Sequence, residues 1–549
     1  MGPALLATGT AAPRRAMLLV LLLAFVTLGA GAALRSTEYD ETYTRLVTSP
    51  VPRPDWPAVP FTPDQAAPLL AAVTGPREIA ENLRVTDVHP PLYFWLAGAW
   101  RAAGGTSVEA LRALSVLLAL GAVASFMAAA GVAGLPPVAT GLATALAYGF
   151  AYTGGVARGF ALAHLLLGLA VLGMLLAWRR QRAGEAALAG LAAGGASFAN
   201  YLAAFPASVI VAWPLVAPLP WRLRLRLALA AALPFAIAQA GNLHFFLAQR
   251  SSRPGQFAPF DPLEAIGLIG QFNVASLFGG LPLYVEGPAR MVLAAALVGL
   301  AAAAALAVGL RWAELGPTRW LWLGGFLAPS GGLLALGAAF GTMPIELRYV
   351  AFAVPFAAAL LAGAAQGWLR RAPRLVPAAL GLMLGVQAAG AAGMALHPAT
   401  RQAYRDALQA VAPALGPGAL LLVPEGNDGV GIVGAVLEEA PRDQHILVLR
   451  LSEVPVLPLR AAPYGRLVLL GITDRDGALQ AEAARAALVA DPRWVEQARP
   501  WRDARRGFEA SIFAPAPGSA AAARRGGSGM PDRAEGVVIG GAHHGREQP

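Results

Sequence analysis

The chain has 549 residues, 56% of them hydrophobic and only 13% charged, with mean hydropathy +0.55; soluble domains carry about a quarter of their residues as charges, so an ordinary soluble protein is excluded. It has no Cys, and all 42 basic residues are Arg, which excludes disulfides, thiolate metal sites and lysine Schiff-base chemistry. A net charge of +10 and a pI near 10.5 suggest either nucleic acid or an anionic surface, and the placement of the charges decides between them.

A membrane helix needs about 20 mostly apolar residues. The first such run, Ala16 to Leu34, follows Arg14 and Arg15 in the manner of a signal peptide. No convincing cleavage site precedes Arg35 and many runs follow, so it reads as an uncleaved first span. Further spans are expected near 109–130, 137–155, 158–178, 185–200, 202–218, 227–246, 289–310, 319–341, 348–368 and 375–396, about eleven in all. Alternate connections hold Arg179, Arg180 and Arg182; Arg222, Arg224 and Arg226; Arg311 and Arg319; and Arg370, Arg371 and Arg374. With the basic N-terminus, this satisfies the positive-inside rule under one orientation: N-terminus cytoplasmic, C-terminal part extracytoplasmic, in a bacterial inner membrane. Topology accounts for the basic excess, and no nucleic-acid partner is expected.

Three longer segments then lie outside: 35–101, about 247–288, and everything after His397. The first includes Pro90 to Trp100, too short to span and expected to lie as a helix at the interface, where Tyr93, Phe94, Trp95 and Trp100 suit the depth. Beyond the last span, the runs Ala419–Val423, Ile446–Leu451 and Leu467–Ile472 alternate with helix-like Arg401–Leu415 and Ala478–Val489, which predicts a small α/β domain over 397–514. From 515 to 549 the composition reads as a disordered tail. The expected architecture is therefore mainly α: a polytopic transmembrane helical bundle over 1–396 with a small C-terminal extracytoplasmic α/β domain.

The outer loop opens with Asp40 and Glu41, a carboxylate pair suited to general-base work or to metal binding, or else simply solvated. The same loop ends in Asp87-Val88-His89-Pro90-Pro91-Leu92-Tyr93, and Arg112-Ala113-Leu114-Ser115 leads into the next span. Arg158, in Ala157-Arg158-Gly159-Phe160, and Arg348-Tyr349 stand at the outer ends of later spans, and Asn200-Tyr201 sits at an outer turn.

In this order and on this side of the membrane, the pieces resemble the C-type membrane glycosyltransferases, in particular the protein O-mannosyltransferases and the aminoarabinose transferases that modify lipid A. The resemblance covers roughly 16–396. It departs where members commonly show Arg-x-Tyr, here Arg158-Gly159-Phe160, and often His-Tyr, here Asn200-Tyr201. It implies transfer of a sugar from a polyprenyl-phosphate carrier to an acceptor hydroxyl of a lipid, glycan or protein. Asp40 would be the general base, with Glu41 positioning the acceptor. Arg158 and Arg348, with Tyr349, would hold the donor phosphate, and Asp87, His89 and Tyr93 would bind substrate. The long second outer loop, with Asp261, Glu264 and Glu286, is where acceptor selection is expected.

Each residue also has a plainer reading: arginines snorkelling to the interface, aromatics forming an interfacial belt, and His164 hydrogen-bonding between helices. A transporter or flippase of lipid-linked saccharides is the rival class, but the sequence has no internal repeat. Asp40, Glu41 and Asp87 supply oxygens from which a divalent-cation site can be built, and nothing requires one. Gly429-Val430-Gly431-Ile432-Val433-Gly434 has the spacing of a dinucleotide fingerprint, yet it begins several residues past the strand and reads as a strand-to-helix turn. His543-His544 has no ligand spacing.

Overall fold

A computed structural model describes residues 14–249, 257–285, 287–396, 402–427, 429–472, 475–503, 508–517 and 540–541. Glu286, His397, His543, His544 and nearly all of the tail expected from 515 onward lie outside the described residues. The chain forms two compact units, one of residues 1–35, 83–97 and 109–398, the other of residues 36–82, 98–108 and 399–549.

The first unit is helical. Among the described residues, eight helices are long and apolar enough to cross a membrane: Arg14–Leu34, Val108–Ala133, Phe160–Arg180, Trp221–Gln249, Pro288–Leu310, Arg319–Phe340, Leu347–Leu369 and Leu375–Leu396. This is a multi-pass membrane protein. The other three expected spans are shorter helices. One breaks into Pro137–Ala145 and Tyr148–Gly154 at an extended Ala147, and extended Asn200 separates Ala183–Ala199 from the helical run Tyr201–Leu215.

The segment expected as a second outer loop contains a further helix, Pro262–Phe278. Asp261 caps it, one carboxylate oxygen accepting from the amides of Leu263 and Glu264, both at 2.9 Å, and Pro262 opens it. Gly279, at φ 123°, ends it.

Small residues let these helices approach closely. A Cβ on Gly190 would stand 2.0 Å from the Ala231 carbonyl oxygen. Nearby, Ser197 Oγ accepts from Gln239 at 2.6 Å and Asn242 at 3.0 Å, joining the same two helices by hydrogen bonds.

The second unit is built on a five-stranded sheet: β1 Ala419–Pro424, β2 His445–Leu449, β3 Arg466–Ile472, β4 Trp494–Asp503 and β5 Phe508–Pro515, in the order β2-β1-β3-β5-β4. β1 runs parallel to β2 and β3, while β5 is antiparallel to both β3 and β4. The parallel strands are almost wholly buried, as continuous apolar runs require. Leu420, Leu422, Leu447, Leu467 and Leu469 pack with Ala484 and Leu488 of the helix Arg475–Ala490.

Residues 36–82 are part of this same unit. Phe61 pairs antiparallel with Ile446, exchanging amide hydrogen bonds of 3.0 and 2.8 Å along the open edge of β2. The helix Tyr39–Val47 lies on the helix Gly431–Glu439, where a Cβ on Gly431 would fall 2.1 Å from the Tyr39 ring and one on Gly434 1.9 Å from Thr42 Cγ2. The glycine motif is thus a helix-packing device, with Gly429 at φ 71° supplying the turn before it. Arg101 ties two helix ends together, donating to the carbonyls of Arg45 (2.7 Å), Leu70 (2.6 Å) and Ala72 (3.0 Å). Burial pushes its guanidinium down to about 10.

Candidate functional site

In the first unit, one cluster forms where the chain leaves the helix Tyr148–Gly154 and turns into Phe160–Arg180. Arg158 sits in that turn, and the path exists because residue 159 is glycine: a Cβ there would lie 2.2 Å from the Ala199 carbonyl oxygen. Arg158 reaches Asp87 in a fork, Nη1 to Oδ2 at 2.9 Å and Nη2 to Oδ1 at 3.3 Å, and the two residues are 1% and 0% exposed. The Phe94 ring lies under the guanidinium, 5.4 Å from its centre.

His89 completes the group. Its Nδ1 is 3.0 Å from Asp87 Oδ1 and 2.9 Å from Arg158 Nη2. One ring nitrogen cannot serve both at once. Unprotonated it accepts from Arg158; protonated it donates to Asp87. Its side chain is 18% exposed, the most open of the three.

The loop carrying His89 is pinned by Gln249, which the sequence reading did not single out. Gln249 Nε2 donates to the carbonyls of Leu83 (2.9 Å) and His89 (3.0 Å), and its Oε1 accepts from the Tyr201 hydroxyl at 2.9 Å. Its only sequence signal is a polar side chain at the last position of an apolar helix. Asn200, in place of the family's histidine, accepts from the Leu202 amide at 3.1 Å.

Arg348 and Tyr349 stand at the start of the helical run Leu347–Leu369. Arg348 Nε lies 2.7 Å from Glu346 Oε2, and its guanidinium rests 5.3 Å from the Tyr349 ring centre. Phe160 and Phe352 pack ring to ring at 5.9 Å, which puts the Arg158 and Arg348 segments on the same end of the unit. Arg35 and Arg112 belong to this end as well: Arg112 donates to the carbonyls of Ala32 (2.9 Å) and Arg35 (3.2 Å), capping the first helix, and Arg35 donates to the Tyr152 carbonyl at 3.0 Å.

Two expectations change here. His164 is not a helix-helix hydrogen bonder: its ring nitrogens meet no hydrogen-bond partner among the described residues, and the ring sits between Phe150 and Phe352, each at 4.9 Å. Tyr93 is fully buried, its hydroxyl 3.5 Å from Ser115 Oγ, and so is set in the packing rather than at an interface.

Asp40 and Glu41 lie in the second unit, in the first turn of the helix Tyr39–Val47. Glu41 is fully buried and closes a capping box with Glu38, accepting from the Glu38 amide at 2.9 Å. Its carboxylate therefore has a structural task. Asp40 is half-buried and stands at the positive end of the helix dipole. No group of three His, Asp or Glu side chains gathers as a metal site among the described residues, and the Asp87 oxygens already face Arg158 and the Val88 amide.

No family model and no curated protein matches the chain. Among solved structures it is similar to ArnT from Cupriavidus metallidurans bound to undecaprenyl phosphate, at 13% identity and a TM-score of 0.49, over 90% of this chain and 97% of that one. The same ArnT in the apo state gives 13% and 0.48 over the same shares. The arabinofuranosyltransferase AftD from mycobacteria gives 15% and 0.42, over 92% of this chain and 42% of that one. All three TM-scores lie below 0.5, and the functional reading rests on the chain's own residues.

Proposed function

We propose that the protein is a glycosyltransferase of the bacterial inner membrane, moving a sugar from a polyprenyl-phosphate donor to an acceptor hydroxyl on the extracytoplasmic face. The observation that carries this reading is the Arg158–Asp87–His89 cluster, on the same end of the helical unit as Arg348 and Tyr349. Fixed cations at headgroup depth suit a substrate whose tail stays in the bilayer while its phosphate stays at the surface.

In this reading the acceptor oxygen bonds to the anomeric carbon while the bond from that carbon to the phosphate oxygen breaks. The lipid phosphate leaves with the electron pair, and the acceptor proton passes to the Asp40 carboxylate. The departing phosphate needs positive charge rather than an acid. The arginines divide the work. Arg348, 13% exposed, contacts the phosphate beside Tyr349. Arg158 has its fork on Asp87 and acts as a positioning residue, orienting His89 toward substrate. Glu41 holds the helix that carries Asp40.

The test supplies purified protein with labelled polyprenyl-phosphate sugars and follows release of free lipid phosphate, comparing wild type with Asp40→Asn. Turnover in the wild type that the variant loses supports the reading. Equal turnover removes Asp40 as the base, and lipid movement across vesicles without phosphate release points to a flippase instead.

A further inference from the structure

At the other end of the helical run Leu347–Leu369, a groove of about 320 Å³ opens between it and the helices Pro288–Leu310 and Leu375–Leu396. Ala304, Leu361, Val376, Leu380 and Met383 line it, and Trp368 stands among them. The Trp368 indole donates to the Ala307 carbonyl at 3.1 Å and carries the Arg311 guanidinium over its face at 3.8 Å.

Charge gathers beside it. Glu314 faces three arginines: Arg311 at 3.0 Å, Arg370 at 3.5 Å and Arg371 at 3.9 Å. One carboxylate cannot neutralise three guanidiniums. The side chains of Arg370 and Arg371 are 79% and 65% exposed, and their ion pairs are long, so both are available to a second anion. Gly367 makes the cluster possible, since a Cβ there would lie 2.6 Å from Glu314 Oε2 and 3.3 Å from Arg311 Cδ. Trp312 and Trp320, 5.0 Å apart with Arg319 beside them, mark the same end as an interfacial belt.

An apolar groove flanked by surplus positive charge at an interface fits an amphiphile with an apolar chain and an anionic head. We propose that it binds an anionic glycerophospholipid, one acyl chain in the groove and the headgroup phosphate on Arg370 and Arg371. Basic pockets between membrane helices hold anionic headgroups in this way. The occupant is a bulk lipid rather than the sugar carrier. Arg348 and Arg370 stand at opposite ends of one helical run, about 33 Å apart along its axis at 1.5 Å per residue, so the groove serves the leaflet opposite the candidate reaction site.

The experiment is native mass spectrometry of the full chain in detergent, titrated with phosphatidylglycerol or phosphatidylcholine of the same acyl chains. Phosphatidylglycerol should bind more tightly by roughly 10–30-fold, because both lipids carry the phosphate but the quaternary ammonium of phosphatidylcholine opposes the two arginines. The Arg370→Gln/Arg371→Gln variant, altered only at exposed side chains, should bring it to the phosphatidylcholine level. Ala304→Trp, which fills the groove, should weaken both lipids. Equal binding of the two lipids by wild type overturns the proposal. So does phosphatidylglycerol binding unchanged in both variants, or its displacement by equimolar polyprenyl phosphate.

Discussion

Arg158 and Asp87, 71 residues apart, meet fork to fork at 2.9 and 3.3 Å with almost no exposure to solvent. A buried pair of this kind is poor evidence of net stability, because desolvating both charges offsets most of their attraction. What it secures is geometry: neither charge can leave alone, and His89 is held against both.

Removing one partner should therefore cost far more than removing both. Asp87→Asn should destabilise the protein by about 3–5 kcal/mol by stranding a buried guanidinium, whereas Asp87→Leu with Arg158→Met should recover much of the loss. Thermal unfolding in detergent reads both. A single variant as stable as wild type would mean that the pair is not desolvated.

The two adjacent carboxylates should separate cleanly. Asp40→Asn is expected to lower the rate of lipid-phosphate release by about 10²–10⁴-fold while costing at most about 0.3–1 kcal/mol of stability through the lost helix-dipole charge. Glu41→Gln, which preserves the capping box, should be close to wild type, while Glu41→Ala should lose about 1 kcal/mol of stability. Equal catalytic loss in Asp40→Asn and Glu41→Gln would contradict the division of roles.

For Arg348, the expected signature is in donor affinity. Losing a charged hydrogen bond worth about 1.5–3 kcal/mol should raise the donor KM in Arg348→Gln by roughly 10–100-fold, with partial rescue in Arg348→Lys. If kcat falls and KM stays, the arginine acts on the transition state rather than on binding.

The glycine contacts make a prediction about folding. Gly434→Leu should push the helix Tyr39–Val47 off its neighbour, since even a Cβ would overlap Thr42, at a cost of about 1–3 kcal/mol or more. Limited proteolysis should then cut within 36–82 faster than in wild type. Gly418→Ala, where a Cβ meets nothing within 4 Å, is the control.

Much of this architecture was legible because it rests on local pattern. Each of the eleven apolar runs is helical, and β1, β2 and β3 fall on the three apolar runs of the C-terminal segment. The failures are equally physical. β4 carries Glu496, Arg499, Arg502 and Asp503 on a largely exposed edge, so no apolar run announces it. The helix Pro262–Phe278 has 17 residues, short for a span, although Asp261-Pro262 is a helix-start signal. At the site, Arg158 and His89 were visible as chemistry, but the partnership of Arg158 with Asp87 was not. Neither was that of Gln249 with the His89 backbone, since long-range pairing leaves no trace in one sequence.

The ion pair of Arg45 with Glu438 joins residues 393 positions apart within the second unit. A ribosome adding about 5–20 residues per second needs roughly 20–80 s to cover that distance. Throughout that interval the segment 36–82 has been made but its partner helix and sheet have not. The unit must then close by joining its earliest and latest pieces, after the helices encoded between them have emerged. Biogenesis thus has a built-in waiting period in which a half-made fold is open to proteases and chaperones, and truncation near the C-terminus should leave the segment 36–82 unfolded as well as the end.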